Sequence, residues 1–77
     1  MSTFATAWAW EQQIDRAEDK LVLLRMADST QHDGWWRGDI MRLAAPCGLS
    51  EDQVEASVER LVGSGVLFGE SGAYRLL

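Results

Sequence analysis

The apolar positions of this chain fall into three helical stripes followed by two short apolar runs. The broadest stripe covers Arg16 to Ser29. Ala17, Leu21 and Leu24 join Val22, Leu23 and Met26 in a wide apolar face, with Glu18, Asp19, Arg25 and Asp28 opposite. That width predicts a central helix covered on more than one side, with Lys20 on its surface. Asp15, with Glu18 three residues later, reads as a variant capping box at its start. Ahead of it, Trp8 and Trp10 stand two apart and so point to nearly opposite sides of a short N-terminal helix. Trp10, in line with Ala7 and Ile14, is expected inside and Trp8 at the surface.

After the central helix comes the polar loop STQHDGWWRG, in which Asp33-Gly34 is a turn signal and Trp35-Trp36-Arg37 a very short strand. Trp35 and Trp36 are adjacent and cannot both be buried in the same direction. A second helix is expected over Asp39–Ala45, with Ile40, Leu43 and Ala44 at core spacing, stopped by Pro46. Cys47-Gly48-Leu49 makes the turn, and Ser50 is the N-cap of a third helix. That helix carries Val54, Val58, Leu61 and Val62 on one side and ends at Gly63-Ser64-Gly65. Val66–Phe68 and Ala73–Leu76, on either side of Gly69-Glu70-Ser71-Gly72, read as a β-hairpin.

Helix, helix, Gly-containing turn, helix, hairpin is the order of a winged helix-turn-helix. The fold class expected is therefore α+β, mostly α, with three core helices, a short N-terminal helix and a C-terminal wing. The blocks WAWEQQ, KLVLLRMAD, DGWWRGDIMRLA and CGLSEDQVEASVERLVGSGVL resemble the helix-turn-helix domains of phage and plasmid replication-initiator and regulator proteins. The resemblance runs from about Trp8 to Leu67 and implies the winged-helix fold. It implies DNA binding only through residues that differ here. The family carries Arg, Thr and Gln or Lys where this chain has Glu51, Asp52, Gln53 and Ala56. It has Trp-Pro-Ser where this chain has Trp36-Arg37-Gly38.

Composition narrows the reading further. At 77 residues and 47% hydrophobic, with four tryptophans, the chain is one small domain, 1–77, with enough apolar material for a core. A single cysteine gives no intramolecular disulfide framework. The N-terminus lacks the basic and apolar regions of a signal peptide, and no apolar run approaches the roughly 18 residues of a membrane span. A cytoplasmic protein is expected. There is no phosphate loop, no metal-spaced Cys/His set and no nucleophile beside a base, so neither enzyme chemistry nor a cofactor is expected. His32 reads as a solvated loop residue and Cys47 as a turn residue.

Charge changes the picture most. The net charge is −5, whereas autonomous nucleic-acid-binding domains tend to be basic. At about 100° per residue, with Val54, Val58 and Leu61 inward, Asp52, Ala56, Glu59, Arg60 and Gly63 point most directly outward. Glu51, Glu55 and Glu59 form an i, i+4, i+8 ridge. This acidic face reads two ways. It is a solvated surface with helix-favouring charges in its first turn, or it is a contact surface for a cationic protein.

Two functions follow from these features. In the first, the chain is a non-enzymatic mobile-element module that binds protein through Glu51, Asp52, Glu55 and Glu59, with Trp8 and Trp35 as further contacts. Its sharpest form is a DNA mimic that blocks the nucleic-acid groove of a host machine such as a defence complex. In the second, it is a small transcription or replication regulator that meets DNA through Arg37, Arg42, Gln53, Arg60 and Arg75, as a homodimer. The first is preferred on net charge and helix face; fold analogy alone speaks for the second.

Overall fold

Ala9 sets how the N-terminal helix sits. In the computed structural model, which describes residues 3–77, helix α1 spans Thr3–Glu11 and packs on helix α2, Ala17–Asp28. Met1 and Ser2, the start of the expected 1–77 domain, lie outside the described residues. Ala9 is wholly buried on the side that meets α2, flanked by the partly buried Ala5 and Trp8. Trp10 is instead 64% exposed, which reverses the expected roles of the two tryptophans. Both candidate stripes have helical spacing, but Ile14, counted with Trp10, lies beyond the end of α1. The face built on Ala5, Trp8 and Ala9 lets the two backbones approach closely. Lys20 secures that choice: its Nζ donates to the carbonyls of Ala9, Trp10 and Gln12 at 2.8, 2.7 and 2.7 Å. Helix C-terminal carbonyls lack intrahelical donors and attract a cation, so Lys20 is a cap and not the surface residue expected.

Helix α2 starts one residue later than its pattern suggested. Arg16 is its N-cap, in extended conformation and without a side-chain cap, so Asp15 does not form the capping box. Val22, Leu23, Met26 and Ala27 bury one side of α2 against Leu43, Ala44, Val54, Val58, Leu61 and Leu67. Each large side chain taken fully out of water contributes about 1.5–3 kcal/mol.

The first strand, β1, is Trp35–Arg37. A 3-10 turn over Ile40–Leu43 follows, capped by Asp39 Oδ1, which accepts from the Met41 amide at 3.0 Å. It continues directly as helix α3, Ala44–Cys47. Pro46 lies within this helix and does not stop it. The reason is position: in a first helical turn the missing N–H would have had no partner. The stop is Gly48 at φ +67, where the Gly48 and Leu49 amides donate back to Ala45 and Ala44 at 3.1 and 3.0 Å. That left-handed cap aims the chain into helix α4, Glu51–Gly63.

Strands β2, Leu67–Glu70, and β3, Ala73–Leu76, form the hairpin. Only Ser71 and Gly72, both at positive φ, make its turn, a shorter loop than the four residues expected. The sheet is antiparallel in the order β1-β3-β2, so β1 joins the hairpin through β3. Trp36 pairs with Tyr74 and faces inward, while Trp35 and Phe68 flank Arg75 on the outer face. The described architecture is thus four α-helices and a three-stranded antiparallel sheet, an α+β layout. No helix among the described residues is long and apolar enough to cross a membrane.

Candidate binding face on the fourth helix

Helix α4 is held at both ends before any ligand is considered. Ser50 Oγ accepts from the Gln53 amide at 3.2 Å, and Gln53 Oε1 accepts from the Ser50 amide at 2.8 Å, a complete capping box. Val54, Ser57, Val58 and Leu61 are buried. Val62, expected in the same stripe, is 38% exposed and lines the cleft between α4 and the hairpin. Opposite the buried side stand Glu51, Asp52, Glu55 and Glu59, all exposed. No salt bridge involves any of them among the described residues.

Arg60 was expected to project outward as a phosphate contact. It turns back onto α2 instead. Its Nε and Nη2 donate to Asp19 Oδ2 and Oδ1 at 2.9 and 2.8 Å, and Nη2 lies 3.7 Å from Glu18 Oε1. The Ser57 hydroxyl, wholly buried, accepts from Nη2 at 3.4 Å. Asp19 is only 5% exposed, so this is a two-pronged ion pair at the seam of α2 and α4. The Arg60 hydrogen bond holds the Asp19 carboxyl below the usual carboxylate range, against burial, which pushes it up; Ser57 and the charges of Arg60 and Arg16 lower it further. Arg60 in turn is held charged more firmly, chiefly by its hydrogen bond to Asp19. Sequence carried a signal for this pair. Asp19 stands at i, i+3, i+4, i+7 with Val22, Leu23 and Met26, and Ser57 stands within the α4 stripe. A carboxylate on an apolar stripe requires a partner.

A carboxylate whose folded pKa lies below its unfolded value of about 3.9 stabilises the fold above that value, and the stabilisation is lost as pH falls through the folded pKa. Asp19→Ala is therefore expected to lower stability by about 2 kcal/mol at pH 7. In urea melts the midpoints of the two proteins should converge as pH is taken from 5 towards 2. A gap that stays constant over that range would sink the assignment.

The remaining cations are also largely engaged within the molecule. Arg37 bonds Asp33, at 2.9 Å, and Gln31, and its guanidinium lies 5.9 Å from the Trp35 ring centre. That hydrogen bond also lowers the Asp33 carboxyl. Arg16 pairs with Glu18 and Arg25 with Asp28, while Lys20 caps α1. Only Arg42 and Arg75 have neither a salt bridge nor a side-chain hydrogen bond among the described residues. They lie on different elements, the 3-10 turn and the outer sheet face. Gln53 is occupied by its capping box. Arg37 and Arg75 share the outer face of the sheet with Trp35, whereas Arg42 lies on the 3-10 turn, Gln53 in its capping box and Arg60 against α2. The five do not form one surface as the four acids of α4 do.

The hairpin adds one more acid beside this face. Glu70 borders a cleft of about 490 Å³ between α4 and the hairpin, with Glu59 on the opposite wall and Val58, Val62, Gly69 and Tyr74 between them. A Cβ at Gly69 would come within 3.1 Å of the Tyr74 ring, which would have to shift by a few tenths of an ångström to admit it. Trp8 and Trp35 lie elsewhere: Trp8 is half-buried against the core, and Trp35 meets Phe68 edge-on at 6.3 Å. His32 is exposed in its loop, and among the described residues no three His, Cys, Asp or Glu side chains gather where they could hold a metal ion. Burial raises the Cys47 thiol, whose Sγ lies 3.8 Å from the Leu21 carbonyl. That disfavours the thiolate a nucleophile needs.

No family model, curated protein or solved structure matches the chain.

Proposed function

We propose that the chain is a winged helix-turn-helix module, of the kind mobile elements use, that binds a protein partner through an acidic recognition helix and performs no chemistry of its own. The winged-helix reading is supported by the run α2, β1, α3, α4, β2, β3, in which the first strand closes a sheet with the hairpin that follows α4. Helix α4 then occupies the recognition position. The observation that carries the functional reading is the withdrawal of Arg60: the one cation on α4 is consumed by Asp19, leaving four unpaired carboxylates. A phosphate backbone repels such a face, and a cationic groove attracts it. In its sharpest form the module is a DNA mimic that occupies the nucleic-acid groove of a host complex. Glu70 across the cleft from Glu59 widens the surface available to such a groove.

A second reading, a DNA-binding regulator, draws on the unpaired Arg42 and Arg75. Fluorescence anisotropy with mixed-sequence duplex DNA over a salt series separates the two. The protein-binding module is expected to show no affinity tighter than about 0.1 mM even at low salt. Appreciable binding that weakens steeply with salt would overturn the proposal in favour of the regulator.

A further inference from the structure

Helix α1 carries no charged residue from Thr3 to Trp10, yet α2 covers only one of its sides. A helix that is apolar all round is normally covered all round. The residues of α1 left exposed are Thr3, Phe4, Ala7, Trp10 and Glu11, and Phe4 is 91% exposed. Neither Phe4 nor Trp10 belongs to the core, which Ala5, Trp8 and Ala9 complete from the other side of the helix.

This exposed set is symmetric about its middle. Counting outward from Ala7, Phe4 and Trp10 stand three residues away on either side, and Thr3 and Glu11 four. We infer that the exposed face of α1 is a self-association surface, on which a second copy of this chain packs its own α1 antiparallel about a two-fold axis at Ala7. That operation places Phe4 against Trp10 of the other copy, twice, and Ala7 against Ala7. It also places each Glu11 opposite a threonine, so the only charge on the stripe does not meet itself. A small residue between two aromatics lets the helices approach to about 8–10 Å. The contact is isologous and closes at two copies. Beside Phe4 an open hollow, walled by Thr30, Gln31, His32, Asp33 and Gly34, has room for an incoming ring.

The size of the surface sets its strength. Four aromatic side chains at about 150–250 Å² each bury at most roughly 600–1,000 Å², below the roughly 1,200 Å² of a stable interface. The dimer is therefore weak, forming at high micromolar concentration. The surface lies on α1 and uses none of the α4 acids, so it stands or falls independently of the protein-binding reading.

Sedimentation equilibrium of the whole chain from 10 µM to 1 mM tests the inference. A monomer–dimer equilibrium is expected, and Phe4→Glu and Trp10→Glu should each shift the dissociation constant upward at least tenfold. Both positions are exposed, so the far-UV circular dichroism of the variants should match the parent. The geometry is tested by Ala7→Cys in a Cys47→Ser background, which should cross-link under mild oxidation at least tenfold faster than Ala45→Cys, an exposed control on α3. A monomer through 1 mM, or equal cross-linking at the two positions, would overturn it. So would a protein that stays monomeric but partitions onto phosphatidylcholine vesicles through α1, since lipid would then be the occupant.

Discussion

Replacing Trp36 by alanine is expected to lower the unfolding free energy by about 3–5 kcal/mol, whereas Trp35→Ala costs about 1. The two residues are neighbours of one type, and only the parity of β1 separates them. Trp36 is buried to 6% exposure, its indole Nε1 donates to Ser29 Oγ at 3.0 Å, and its ring tilts against Tyr74 at 6.4 Å. It therefore ties the first strand both to the end of α2 and to the central strand of the sheet. Trp35 keeps one side in water and meets Phe68 only edge-on. A domain this small has a stability of only about 5 kcal/mol or a little more, so Trp36→Ala should leave a substantial unfolded population. Urea melts followed by circular dichroism decide the matter. Equal losses at the two positions would mean that the strand's inward face is misassigned.

Reversing charge on the exposed side of α4 should have the largest functional effect. Glu55→Lys with Glu59→Lys takes the net charge from −5 to −1 and removes two of the four unpaired acids. It turns the repulsion between positions 51 and 55 into an i, i+4 attraction but leaves positions 55 and 59 alike in charge, so with each pair worth about 0.2–0.5 kcal/mol the fold should be retained. An oligo-arginine peptide serves as a probe for a cationic groove. Its binding to the parent should weaken with salt, and the double variant should lose at least tenfold in affinity. The same variant should acquire weak binding to duplex DNA at low salt, because two cations then stand on the exposed side of α4. Binding of the peptide unchanged by the double substitution would place the contact elsewhere and remove the case for an acidic recognition helix.

The legibility of this chain differed between its ends. Around α4 the local signals agreed. Ser50 capped the helix, the apolar stripe turned one way, and Gly65 at φ +83 ended it. At α1 they conflicted, because a helix apolar on every side offers two stripes with the same spacing. Counting selected the one through Trp10, and docking against α2 selected the one through Ala9. Pro46 misled for a related reason. Its effect depends on whether it falls in the first turn of a helix or after the last, and the 3-10 segment that sets this register has no pattern of its own. Of the candidate site, the four acids and their shared face were readable from a helical wheel. The capping role of Gln53 was readable from Ser50 three residues before it, and the need of Asp19 for a partner from its stripe; that the partner is Arg60 was not.

Sequence alone determined the elements, the inward stripe of α4 and its acidic outward face, because helical periodicity and capping act over a few residues. Tertiary structure decided which charges remain available to a partner. Asp19 and Arg60 are 41 residues apart, and only the packing of α4 across α2 brings a buried carboxylate within reach of the helix's one cation. Once that carboxylate is out of water, pairing it is worth more than leaving Arg60 in solvent. Long-range packing, which no local pattern encodes, thus leaves α4 without a free cation.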